Sequence, residues 1–110
     1  MTTPAPHHAG LAAGRWQQLS LVEQLANVGA EVGRMCRRRA AGERAGAFER
    51  ALELLDLTLG DPRWRGQLKE IARTREVLCD AADGGREYGA TLEDLDRYFL
   101  DFALAARRGR

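Results

Sequence analysis

Apolar side chains recur along this chain at alternating spacings of three and four, the period of amphipathic helices, and no segment shows the alternation of a strand. The widest such pattern is Ser20 to Arg39, SLVEQLANVGAEVGRMCRRR. Leu21, Leu25, Val28, Val32 and Met35 form a seam for a neighbouring helix, and at 100° per residue Val22, Ala26, Gly29, Gly33 and Cys36 fall beside it. Together these cover more than half of the circumference, so the first helix is expected to touch at least two others. Ser20 with Glu23 matches a capping box, in which serine caps one free amide and glutamate reaches back to another.

Glycine costs about 1 kcal/mol against alanine inside a helix. Gly29 and Gly33, four apart, are therefore expected to serve helix packing, where a missing side chain lets another backbone come close. The polar edge of the same helix holds Asn27, Glu31 and Arg34. Arg37, Arg38 and Arg39 close it, and cations suit the negative end of a helix dipole.

A turn over Ala40 to Arg44 leads to a second helix, about Ala45 to Leu59, with Phe48, Leu52, Leu55 and Leu59 as its stripe, widened by Ala51 and Leu54. Gly60, Asp61 and Pro62 suit, in turn, a helix C-terminus, the next N-cap and the first helical position. The third helix, Pro62 to about Asp80, places Trp64, Leu68, Ile71 and Leu78 on its apolar face, with Arg75 in the middle of it. A buried guanidinium must be paired or it costs several kcal/mol. Glu31 is the expected partner and Glu53 the next; otherwise the stem packs while the head reaches water. Ala81 to Ala90 is a loop that Tyr88 is expected to pin. Thr91 with Asp94 caps a last helix carrying Leu92, Leu95, Phe99, Phe102 and Ala106.

The expected fold is all-α: an antiparallel up-down-up-down four-helix bundle over 15–110, preceded by a disordered tail over 1–14. That tail, MTTPAPHHAGLAAG, lacks periodicity and holds both histidines, His7 and His8, which bind metal only weakly in such a setting. Trp16 and Leu19 lead into the fold as an anchoring turn.

Composition narrows the chemistry. The chain has 110 residues, 45% apolar and 30% charged, with a net charge of +1. One domain fits that length, without room for a core and a deep enclosed pocket as well. Near-neutrality excludes a globally basic nucleic-acid binder. Lys69 is the only lysine, so each arginine run is read against an arginine-biased composition. Cys36 and Cys79 make no disulfide framework and are expected as reduced, packed thiols. No apolar run approaches the ~20 residues of a membrane span, and no signal-peptide plan opens the chain, so a cytoplasmic protein without membrane contact is expected.

With no histidine inside the expected fold, Ser-His and Cys-His nucleophile systems have no base. The Arg-to-His motif of HEPN ribonucleases and the Glu-x-x-His pairs of di-iron bundles are absent. Neither a cofactor nor a metal ion is expected. Glu53-Leu-Leu-Asp56 is similar to one of the two acidic pairs that MazG-type nucleotide pyrophosphohydrolases use to hold magnesium, but the other pair is missing. In an antiparallel bundle Arg15, Arg63, Arg65, Lys69, Arg107, Arg108 and Arg110 gather at one pole, a candidate surface for nucleic-acid phosphates.

Five segments, WQQLS at 16–20, EQLANVGAEV at 23–32, ELLDLT at 53–58, REVLCD at 75–80 and YF at 98–99, together resemble an uncharacterised family of short bacterial all-helical proteins. Asn27, Glu31 and Arg34 are also similar to the Asn-Ile-Ala-Glu-Gly segment, ending in arginine, of the four-helix proteins of ribosomal RNA intervening sequences and their relatives, the retroelement accessory variability determinants. Here the Asn-to-Glu spacing is one residue longer and Gly33 falls differently. The second resemblance implies a homo-oligomeric bundle that binds nucleic acid and a reverse transcriptase. The residues themselves favour a non-enzymatic binding protein that self-associates, with Leu57, Leu100 and Leu104 off their main stripes as the candidate surface. The nucleic-acid accessory and the magnesium-dependent hydrolase are the alternatives.

Overall fold

The computed structural model describes residues 14–108. All of the expected tail but Gly14 lies outside them, as do His7, His8 and Arg110. Among the described residues there are four α-helices and no strand: α1 (Leu21–Arg37), α2 (Ala41–Leu59), α3 (Leu68–Ala82) and α4 (Leu92–Arg108). Two 3-10 segments accompany them: Trp16–Gln18 precedes α1, and Pro62–Gln67 joins α2 to α3.

Local chemistry sets most of the ends. The Ser20 hydroxyl accepts from the Glu23 amide at 3.1 Å, and the Glu23 carboxylate accepts from the Ser20 amide at 3.0 Å. Thr91 and Asp94 exchange the same pair of bonds before α4, both at 3.0 Å. Two boundaries differ from expectation. α1 stops at Arg37, and α2 starts at Ala41, because Arg38 and Ala40 are extended. Alanine, glutamate and arginine are good helix formers, and Glu43 suits the positive first turn, so the expected loop winds up instead.

The third helix is also broken. Asp61 caps Arg63 at 3.1 Å, but Pro62–Gln67 is a 3-10 segment with Trp64 at φ −105°, ψ 27°, and the α-helix begins only at Leu68. The cause is tertiary. The Trp64 indole turns away to donate to Gln24 on α1 at 2.9 Å. Leu68 is left exposed, and α3 buries only Ile71, Leu78 and Ala81.

The core lies around α1, which contributes Leu25, Val28, Val32 and Met35, with Leu54 and Leu55 of α2 and Phe99 of α4. Trp16 is fully buried, so the short turn before α1 is part of that core. Helix α1 packs most extensively on α4 and α2, whereas α3 meets α4 thinly. A Cβ on Gly29 would lie 2.6 Å from Phe99 Cβ, so glycine is needed there for α4 to approach. Gly33 is different: its missing side chain is covered by the guanidinium of Arg37, which can swing away.

Close approach also rotates α2. Ala47, Ala51, Leu54, Leu55 and Thr58 are buried, whereas Phe48, Leu52 and Leu59 of the expected stripe are half-buried. Ala47 and Ala51 thus go under with Leu54 and Leu55, while Phe48, Leu52 and Leu59 pack at the edge of the core.

Candidate functional site

Two buried polar groups stand on α1. The first is Gln24, whose amide nitrogen donates to the Trp16 carbonyl at 2.9 Å and to Asp61 at 3.1 Å, while its oxygen accepts from the Trp64 indole. Asp61 is itself buried. Arg63 closes on it with Nε at 3.1 Å and Nη2 at 2.7 Å, and the same Nη2 reaches the Leu19 carbonyl at 2.7 Å. That guanidinium also stacks on the Trp64 ring, 4.4 Å from its centre. The Arg63 side-chain bonds outweigh desolvation and bring the Asp61 carboxyl down from 3.8 to about 2. This corner ties the turn before α1 to the junction of α2 and α3.

The second group is Glu31, also buried. Its partners are Arg34, one turn on, at 2.8 Å, and Arg50 of α2, whose Nε lies 3.2 and 3.3 Å from the two carboxylate oxygens. The expected pairing of Glu31 with Arg75 is not formed. Arg75 donates instead to Asp56 at 2.8 Å, and its Nη1 approaches the Cys79 sulfur at 3.9 Å. The rotation of α2 explains the exchange, since it turns Arg50 toward α1 and leaves Asp56 on the side of α3. Arg75 is half-buried and Asp56 exposed, so the stem packs while the head stays near water. Asn27 lies outside the Glu31 network: it is exposed and donates to the Glu23 carbonyl of its own helix.

Beside Arg34 and Arg50, Arg38, Gly42, Glu43 and Gly46 complete a cleft of about 380 Å³ where α1 gives way to α2. Sequence reasoning missed Arg50. The signal was its place three residues after Ala47 and four before Leu54, which puts it beside the buried side of α2.

Of the expected basic pole, Arg15, Arg65, Lys69, Arg107 and Arg108 are exposed. Arg63 is committed to Asp61 and the Leu19 carbonyl, which reduces the charge that this end can offer to phosphate.

Elsewhere, an open groove of about 710 Å³ separates α3 from α4, with Val77, Leu95 and Tyr98 in its wall and Lys69 and Arg73 at its edge. The loop at its end is held as expected: Asp80 accepts from the Glu87 and Tyr88 amides, and the Tyr88 hydroxyl donates to Glu76 at 2.9 Å. A smaller hollow of about 250 Å³ lies along α1 and α4, where Ala26, Ala30 and Gly33 face Phe99, Leu100 and Ala103, with Arg37, Asp96 and Arg97 also in its wall. Leu100 and Leu104 are 54% and 42% exposed, whereas Leu57 packs against the core. Cys36 and Cys79 are free and half-buried. Burial, with Asp96 and Glu93 nearby, pushes the Cys36 thiol up and keeps it protonated.

Among the described residues no helix is long and apolar enough to cross a membrane, and no group of three His, Cys, Asp or Glu side chains could hold a metal ion. Comparison of the chain with family models, with curated proteins and with solved structures finds no match in any of the three.

Proposed function

We propose that this is a small non-enzymatic helical bundle that works by binding protein, and first of all a second copy of itself. The bundle is read as up-down-up-down and antiparallel. Support comes from the register of side chains: Gln24 meets Asp61 while Glu31 meets Arg50, and Gly29 meets Phe99 while Cys36 lies near Glu93 and Asp96.

The observation that carries the self-association is the exposed pair Leu100 and Leu104, one turn apart on α4, beside the small-residue hollow of α1. Exposed leucines and a hollow on one face, here rimmed by Arg37, Asp96 and Arg97, supply both halves of an isologous contact, in which the same patch of each copy meets the other. The magnesium hydrolase reading is weaker, since Asp56 of the Glu53–Asp56 pair is engaged by Arg75. A cytoplasmic setting belongs to the same proposal and is supported by the two free thiols.

Sedimentation velocity over a wide concentration range tests this. A monomer–dimer equilibrium is expected for the wild type, and a monomer with unchanged helical circular dichroism for the double variant Leu100→Glu, Leu104→Glu. A strict monomer at high concentration, or a dimer indifferent to those substitutions, would overturn it.

A further inference from the structure

We propose that the cleft between the end of α1 and the start of α2 binds a phosphate group carried on a small molecule, of the phosphate-ester or diphosphate class. The inference is independent of self-association, because the cleft faces the α1–α2 junction rather than the α1–α4 hollow.

Three arginines, Arg34, Arg38 and Arg50, converge on a concave space of about 380 Å³. Two of them are held from beneath by one buried carboxylate. Arg34 uses Nη1 on Glu31, and Arg50 uses Nε, which leaves the two Nη groups of Arg50 outside that contact, with Nη1 lying over Gly46. A guanidinium fixed in this way loses little freedom when it takes up an anion, and its planar fork matches two oxygens of a phosphate. Gly42 lines the cleft beside open space, where a Cβ would meet nothing within 4 Å, and Gly46, one turn on, makes room for the Arg50 guanidinium.

The start of α2 adds to this field. Ala40 provides no side-chain cap, so the first amides of the helix, Gly42 among them, stand at the rim at the positive end of its dipole. Against them stands Glu43, which also lines the cleft. Its contact with Arg38 is loose, at 4.0 Å, and both side chains are mostly exposed. An incoming phosphate displaces Glu43 into water and takes its place on Arg38.

Small size is favoured over a polymer because the lining cations are confined to the cleft: the exposed Arg39 and Arg44 lie outside its wall, and toward α4 the positive surface ends. Arg37 folds back over Gly33, and Glu93 and Asp96 stand near Cys36 on the α4 side. A nucleic-acid strand needs a continuous track of cations, whereas a phosphate ester needs one cradle.

Titration calorimetry of the full chain with inorganic pyrophosphate at low ionic strength is the test. Saturable one-site binding is expected, weakened about tenfold or more by Arg38→Ala and likewise by Gly42→Leu, which fills that open space without removing charge. Glu43→Gln strengthens it, a gain that a misfolded variant cannot produce. Absence of saturable binding by the wild type would overturn the proposal, as would affinities unchanged by Arg38→Ala and Gly42→Leu. Tighter binding of a short single-stranded RNA, lost in the same variants, would overturn it in favour of a nucleic-acid partner.

Discussion

Gln24 and Glu31 stand two turns apart on the same side of α1, both buried, in opposite surroundings. Around Gln24 the polar groups close on one another: its nitrogen and oxygen are occupied by Trp16, Asp61 and Trp64, and Arg63 seals the carboxylate. Around Glu31 the two arginines face outward into an open cleft. A buried carboxylate paired with guanidinium therefore serves two ends. A network closed in every direction fixes a chain junction, and one left open on one side presents its cations to a ligand. The environment of the charge decides this, more than the residue types.

The largest effect should come from breaking the closed corner. Gln24→Leu keeps the volume but leaves the Trp16 carbonyl and Trp64 indole without partners in a dry site. A loss of about 3 kcal/mol is expected, read as a lower urea midpoint. Next in size is the acid response of Asp61. Its folded carboxyl, at about 2 against 3.8 free, is lowered, so its stabilisation is fully present above the free value and disappears as pH falls toward 2. The stability difference between wild type and Asp61→Asn should thus hold steady from neutral pH to about 4 and shrink below it; urea midpoints at stepped pH values will register the shrinkage. The open corner should yield least. Arg34 and Arg50 have side chains 45% and 32% exposed, so Glu31→Gln lets both turn to water and should cost about 1 kcal/mol. If Glu31→Gln proved as damaging as Gln24→Leu in the same denaturation series, the contrast between the corners would fail.

What could be read from the residues alone was mainly local. The Ser20–Glu23 and Thr91–Asp94 boxes and the Gly60–Asp61–Pro62 boundary involve neighbours within a turn, so their geometry follows from spacing. The seam of α1 followed in the same way from periodicity. The partner of Glu31 did not, because it depends on how far α2 rotates, and that is set by small residues packing across two helices. The broken start of α3 was equally hidden, since it answers to a hydrogen bond between Trp64 and Gln24, forty positions apart. The cleft depended on where α2 begins; with Ala40 to Arg44 read as a turn, Gly42 and Gly46 could not be seen as one helix face.

The close fit of Gly29 on Phe99 has a consequence for how the chain reaches this state. The most extensive partner of α1 is the last of the described helices, and the whole of α2 and α3 is synthesised between them. The first helix can settle early only against α2. Its other apolar side must wait uncovered until α4 arrives, so closing the core requires a long-range chain closure. A chain interrupted before α4 would leave the Gly29 face open and prone to aggregation. Any side chain larger than hydrogen at position 29 would hinder that final docking step.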